Sequence, residues 1–151
     1  MKISAESEKK LIKAFLDDLG LDKKDSDIMA DVVCRSDMTG VYSHGLSRFI
    51  RYIQQFETGA LNPTPDMRIV SDSGATLMFE CDGASGLIAV NRAYDEALVR
   101  AKEHGVCVCC GANSANIVIA FFAVQKLGGG VCREVNGVQH LFENILLIQI
   151  R

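Results

Sequence analysis

Ser43 and His44 stand side by side in the run GVYSHGLSRFIRY, residues 40–52, and Arg48 and Tyr52 follow at steps of four. A histidine can give or take a proton near neutral pH, and a hydroxyl beside it can orient the imidazole or donate to a substrate oxygen. The planar fork of an arginine can hold a carboxylate through two hydrogen bonds. If a helix starts near Ser43, each residue advances roughly 100°, which puts Arg48 about 40° and Tyr52 about 80° from His44, with Leu46, Phe49, Ile50 and Ile53 centred near about 180°. The polar stripe is therefore expected off the core face. One histidine or arginine on a helix is usually solvated surface; together, these four side chains suit reduction of a 2-oxo acid.

The elements that must carry this stripe are legible in the spacing of apolar residues. Ser4 can cap a first helix with acidic residues in its first turn; Leu11, Ile12, Phe15, Leu16 and Leu19 mark one face, and Gly20 ends it. Asp22 opens a second helix, with Ile28, Met29, Val32 and Val33 on the stripe that covers the first. The third runs from about Ser43, with Leu46, Phe49, Ile50, Ile53 and Phe56 as its apolar face, and Gly59 followed by NPTP stops it. The period then changes to that of strands in DMRIV and TLMFEC, around the turn SDSGA, the second with Leu77, Phe79 and Cys81 on one side. A helix from about Leu87 to His104, the strand VCVCC and a helix from about Asn116 to Leu127 complete the reading. This predicts a mixed α/β chain: a three-helix segment over residues 1–60, a partial α/β domain over 61–127, and a tail over 128–151 whose apolar stretch ILLIQI has no partner strand after it.

A chain of 151 residues, 48% hydrophobic and 23% charged, can bury one sizeable core. Its net charge of −3 gives no broad attraction for nucleic acid or anionic lipid. MKISAESEKK lacks the apolar core of a signal peptide and ILLIQI is too short to cross a bilayer, so no membrane partner and a cytoplasmic location are expected. The six cysteines at 34, 81, 107, 109, 110 and 132 are then expected as thiols. Cys107, Cys109, Cys110 and Cys132 could be read as a thiol–metal module, but VCVCC alternates like a buried strand, adjacent cysteines point to opposite faces, and no CxxC pair or HxxxH completes a ligand set. They are expected in the core, with no metal.

DMTGVYSHGLSRFIRY, the G…NPTP that follows, ECDGASG and GVCVCCGANS resemble, in order and spacing over about residues 1–127, the N-terminal part of the malate/L-lactate dehydrogenase family, which includes ureidoglycolate and sulfolactate dehydrogenases and ketimine reductases. The run Asp-x-x-Gly-x-x-Ser-His-Gly-x-x-Arg carries most of the specificity. The resemblance implies an oxidoreductase using NAD or NADP on small 2-hydroxy or 2-oxo acids, working as a homodimer or larger homo-oligomer, with a fold distinct from the doubly wound dinucleotide domain. The absence of GxGxxG agrees with that. It also implies that Ser43 and His44 form the proton relay, that Arg48 and Tyr52 line the substrate pocket, and that Asn113, Ser114 and the residue at 116 belong to the cofactor-binding segment.

Two departures follow from the same resemblance. Family members usually carry Asn-Ser-x-His-Phe-Gly where this chain has NSANIV, so Asn116 stands at the histidine position and Val118 at the glycine. Asn cannot exchange a proton near neutral pH and a β-branched residue denies glycine's close approach. If that histidine is obligatory, catalysis is severely impaired; if His44 carries the proton, Asn116 only weakens it. Family members are also roughly twice this length on domain-size grounds, so a truncated or frame-shifted frame is expected beyond Leu127. The alternative to a dehydrogenase is a non-catalytic fragment, its N-terminal helices serving as an association module.

Overall fold

Ser4 opens the first helix, its Oγ accepting the Ser7 N–H at 3.1 Å, and α1 runs over Ala5–Asp18. Asp22 does the same for α2, Lys23–Met38, accepting from Asp25 at 2.8 Å. Both caps satisfy donors that a helix leaves open at its start. The computed structural model describes residues 3–115, 131–134 and 145–149, in two compact units, Met1–Thr64 and Pro65–Arg151. The chain passes between them within the Asn62–Pro65 stretch, where two prolines and an Asn side chain that accepts the Thr64 N–H favour extended, turn-like backbone.

In the first unit the buried line of α1 is Glu8, Ile12 and Leu16, at steps of four, while Leu11 and Phe15, expected on the same face, are about half exposed. They sit one step round the helix from the buried line. Met29, Ala30, Val32 and Val33 of α2 pack as expected. The third helix differs from the expectation. A single 3₁₀ turn, Tyr42–His44, comes first, Gly45 breaks it with φ −89° and ψ −146°, and α3 occupies Leu46–Glu57. Its core face is Phe49, Tyr52 and Phe56, whereas Ile50 is exposed. Phe15 and Phe49 meet edge to face, with ring centroids 6.4 Å apart.

The second unit is a mixed sheet in the order β1-β2-β3-β5-β4, from β1 Arg68–Asp72, β2 Thr76–Glu80, β3 Val106–Ala112, β4 Val131–Glu134 and β5 Ile145–Gln149. β1 and β2 form an antiparallel hairpin; its turn is fixed by Asp72, which accepts the Gly74 N–H at 2.9 Å. β2 and β3 are parallel, joined by α4, Gly86–His104. A parallel pair requires a crossover, and a helix of this length supplies it. Leu77, Phe79 and Cys81 face Ala97, Ala101, Tyr94, Cys107 and Cys109 in one core.

The terminal apolar stretch, which has no partner strand after it, finds its partners upstream: β5 pairs antiparallel with both β3 and β4, so its backbone groups are bonded on two sides. The helix expected over residues 116–127 lies outside the described residues. Among those described, no helix is long and apolar enough to cross a membrane. Cys107 and Cys109 point into the core with sulfurs 3.9 Å apart, and Cys110 lies on the other face of β3.

Leu77 is fully buried between α4 and the sheet and Val70 is half exposed on β1. Leu77→Ala is expected to lower stability by about 2–5 kcal/mol and Val70→Ala by no more than about 0.5 kcal/mol. Urea denaturation followed by circular dichroism checks both.

Candidate active site

The turn holding Ser43 and His44 is made by the backbone: His44 N–H donates to Val41 C=O at 2.9 Å and Gly45 N–H to Tyr42 C=O at 3.2 Å. Ser43 Oγ lies 2.9 Å from His44 Nδ1. When the hydroxyl donates, a neutral imidazole carries its proton on Nε2; when Nδ1 is protonated as well it donates to Ser43 Oγ, and the imidazolium is the state that can protonate an oxygen outside the turn. Both side chains are accessible, Ser43 exposed and His44 half-buried. The expected pairing of these two groups is thus present, on a 3₁₀ turn and not on the helix.

Arg48 and Tyr52 lie one turn apart on α3, close enough for a hydrogen bond between their side chains. Tyr52 departs from the expected polar stripe, being only 3% exposed. Burial pushes its phenol above the usual range, and the Arg48 cation opposes that shift. The physical reason is that residues 49, 52 and 56 share one face of a 3.6-residue helix, and the tyrosine ring is the bulky apolar body at its middle. Its polar tip is directed to Arg48.

One side chain outside that reading holds the turn, and a second lies beside it. Asp37, near the end of α2, accepts the Leu46 N–H at 2.6 Å. A Cβ on Gly45 would overlap the Asp37 carboxylate, so residue 45 must be glycine for the approach to occur. Glu8 of α1 is buried within hydrogen-bonding reach of Asp37 and Cys34, and its Oε1 has no hydrogen-bond partner. Burial first, and Asp37 second, raise the Glu8 carboxyl above its ordinary range. The signals were available: Glu8 stands four and eight residues before Ile12 and Leu16, and Asp37 is the first residue of the Asp-x-x-Gly run.

In the second unit the segments ECDGASG and GANS are zipped together at the carboxyl ends of β2 and β3. Gly83 N–H donates to Asn113 C=O at 2.8 Å, Gly86 N–H to Ala115 C=O at 2.6 Å, and Ala115 N–H to Ala84 C=O at 3.0 Å. Asn113 holds a left-handed backbone, φ 56°, and its Nδ2 donates to Glu80 Oε1 at 3.0 Å. Asn is among the residues that tolerate this conformation. Ser114 borders a cavity of about 30 Å³ with Phe79, Cys81, Ala93, Cys109 and Gly111, room for water-sized molecules and not for a nicotinamide ring. Asn116 and Val118 lie outside the described residues. So do the side chains of β4, Cys132 included; among the described residues no three His, Cys, Asp or Glu come together as a metal site.

Comparison with known proteins places this arrangement. The profile of the malate/L-lactate dehydrogenase family matches residues 3–128. L-Sulfolactate dehydrogenase of Methanocaldococcus jannaschii is 38% identical over 120 residues, which cover 80% of this chain and 35% of that protein. A 2,3-diketo-L-gulonate reductase of Escherichia coli is 31% identical over 106 residues, 70% of this chain and 32% of the reductase. The solved structure of the M. jannaschii sulfolactate dehydrogenase superposes with a TM-score of 0.80 at 36% identity, over 83% of this chain and 37% of that one. The chain therefore spans about a third of the length of the curated relatives it matches.

A carboxyl whose folded value is raised binds its proton more tightly in the native state, so its stabilising effect is full below the unfolded value and is lost as pH rises through the folded one. Glu8→Gln is therefore expected to raise the melting temperature at about pH 7 and to leave it nearly unchanged at about pH 4. Paired thermal melts of the two proteins across that range check the sign.

Proposed function

The chain belongs to the malate/L-lactate dehydrogenase family, and from that premise we propose that it carries the proton-donating part of an oxidoreductase acting on small 2-oxo and 2-hydroxy acids. The observation that supports this best is the Ser43–His44 pair, 2.9 Å apart on an accessible turn one residue ahead of the helix that bears Arg48. In the direction of reduction the His44 imidazolium gives its Nε2 proton to the oxygen that was the carbonyl and is left neutral, with Ser43 Oγ accepting from Nδ1–H to hold the ring. Arg48 binds the substrate carboxylate, and its charge also favours the developing alkoxide. Tyr52 fixes the guanidinium from the core side.

NADH or NADPH would supply the hydride. That part of the proposal comes from the family alone; beside Ser114 the second unit has a cavity of about 30 Å³. Asn113 and Ser114 shape the loop expected against the cofactor, with Asn116 at the position where the family resemblance implies a histidine. A homodimeric or larger assembly and a cytoplasmic setting belong to the same proposal. The second reading, a non-catalytic association module, draws on Leu11, Phe15 and Ile50, large apolar side chains of the first unit that are 46%, 48% and 61% exposed.

Titration of NADH and NADPH with concentrated protein, followed by nucleotide fluorescence, separates the two readings, and the lack of Trp keeps the signal clean. Saturable binding altered by a small 2-oxo acid is the outcome expected of the enzyme; no binding of either nucleotide favours the association module. Where turnover is found, His44→Ala is expected to lower it by about 10²–10⁴-fold. Arg48→Ala is expected to raise KM for the acid by about 10–100-fold, the loss of a charged hydrogen bond. Steady-state kinetics of the variants decide, and wild-type behaviour of the His44 variant would remove it from the proton relay.

A further inference from the structure

The start of α3 rests on a side chain from another helix. An α-helix begins with N–H groups that lack intrahelical partners and carry partial positive charge. Gly45, at the cap position, has no side chain to serve them, and the acceptor comes from Asp37, eight positions earlier, through its bond to Leu46 N–H. The same carboxylate fills the space against Gly45, directly after His44. At the other end of the turn, Val41 N–H donates to Ser36 C=O at 2.8 Å. The turn is thus clamped on α2 on either side of Ser43 and His44.

We propose that Asp37 is a positioning residue for His44, setting the direction of the imidazole through Gly45 and Leu46, and that Glu8 keeps Asp37 in place from behind. The inference rests on the reading of His44 as the proton carrier for its meaning, and on the geometry of the first unit for its substance. Glu8 faces two titratable groups, Asp37 and Cys34, both of α2. Lys9 and Asp31, beside Cys34, pair with each other. Burial, with Glu8 next, pushes the Cys34 thiol up to about 11, so it stays neutral. A protonated Glu8 leaves Asp37 as the anion at the start of α3, where negative charge is favoured. An ionised Glu8 sets a second negative charge against Asp37 and weakens its hold on Gly45 and Leu46.

The test is an NMR titration of the ¹⁵N-labelled full chain, following the Leu46 amide and the His44 ring protons. The expected result is a step in both signals above the ordinary glutamate range that is absent in Glu8→Gln. Asp37→Ala should move the Leu46 amide upfield and shift the His44 ring signals; Asp37→Asn, which keeps an acceptor oxygen, should restore most of both. His44 ring signals that are unmoved by Asp37→Ala would overturn the proposal. Should that variant not fold, a step at Leu46 that persists in Glu8→Gln would overturn it equally. No readout uses turnover or nucleotide, so failure here leaves the dehydrogenase reading standing, and failure to bind nucleotide leaves this inference standing.

Discussion

The carboxylate of Asp37 occupies the space that a side chain at residue 45 would need, and from there it accepts the first exposed N–H of α3. That close approach explains why the run Asp-x-x-Gly-x-x-Ser-His-Gly-x-x-Arg holds together as a unit. Asp37 supplies the cap and Gly40, with φ +81°, lets the chain leave α2. Gly45 yields to the carboxylate, and between the glycines lies the one turn that presents Ser43 and His44. Arg48 is then delivered on the first turn of a helix whose start is pinned.

The interior of the first unit is tied to the same point. Glu8 sits on the buried line of α1 with Ile12 and Leu16, so the packing that joins α1 to α2 also brings a second carboxyl to Asp37. A buried oxygen without a partner costs free energy that apolar packing alone would not incur. A residue of this kind, four positions before the apolar stripe, is consistent with a role beyond filling the core.

The second unit obeys a separate constraint. Its parallel pair β2–β3 and the crossover α4 place two loops at the same sheet end, and the bonds of Gly83, Gly86 and Ala115 zip those loops together. Ligands of open α/β sheets gather at the carboxyl ends of parallel strands. Here those ends carry Asn113 and Ala115, whose backbone is bonded to the neighbouring loop, with Ser114 between them.

Read from the sequence by itself, the helix starts at Ser4 and Asp22, the buried face of β2, the strand that contains Cys107 and Cys109, and the pairing of Ser43 with His44 were all determined. Each depends on neighbours within a few residues: a cap reaches three positions ahead, a strand alternates with period two, and adjacent side chains meet on a turn. Tertiary structure decided the rest. The break at Gly45 exists because a carboxylate from α2 arrives there, Tyr52 is buried because Phe49 and Phe56 centre the face that packs, and β5 finds its place because β3, some forty residues upstream, offers a free edge. Those outcomes turn on contacts between segments far apart in the chain, which local periodicity does not encode.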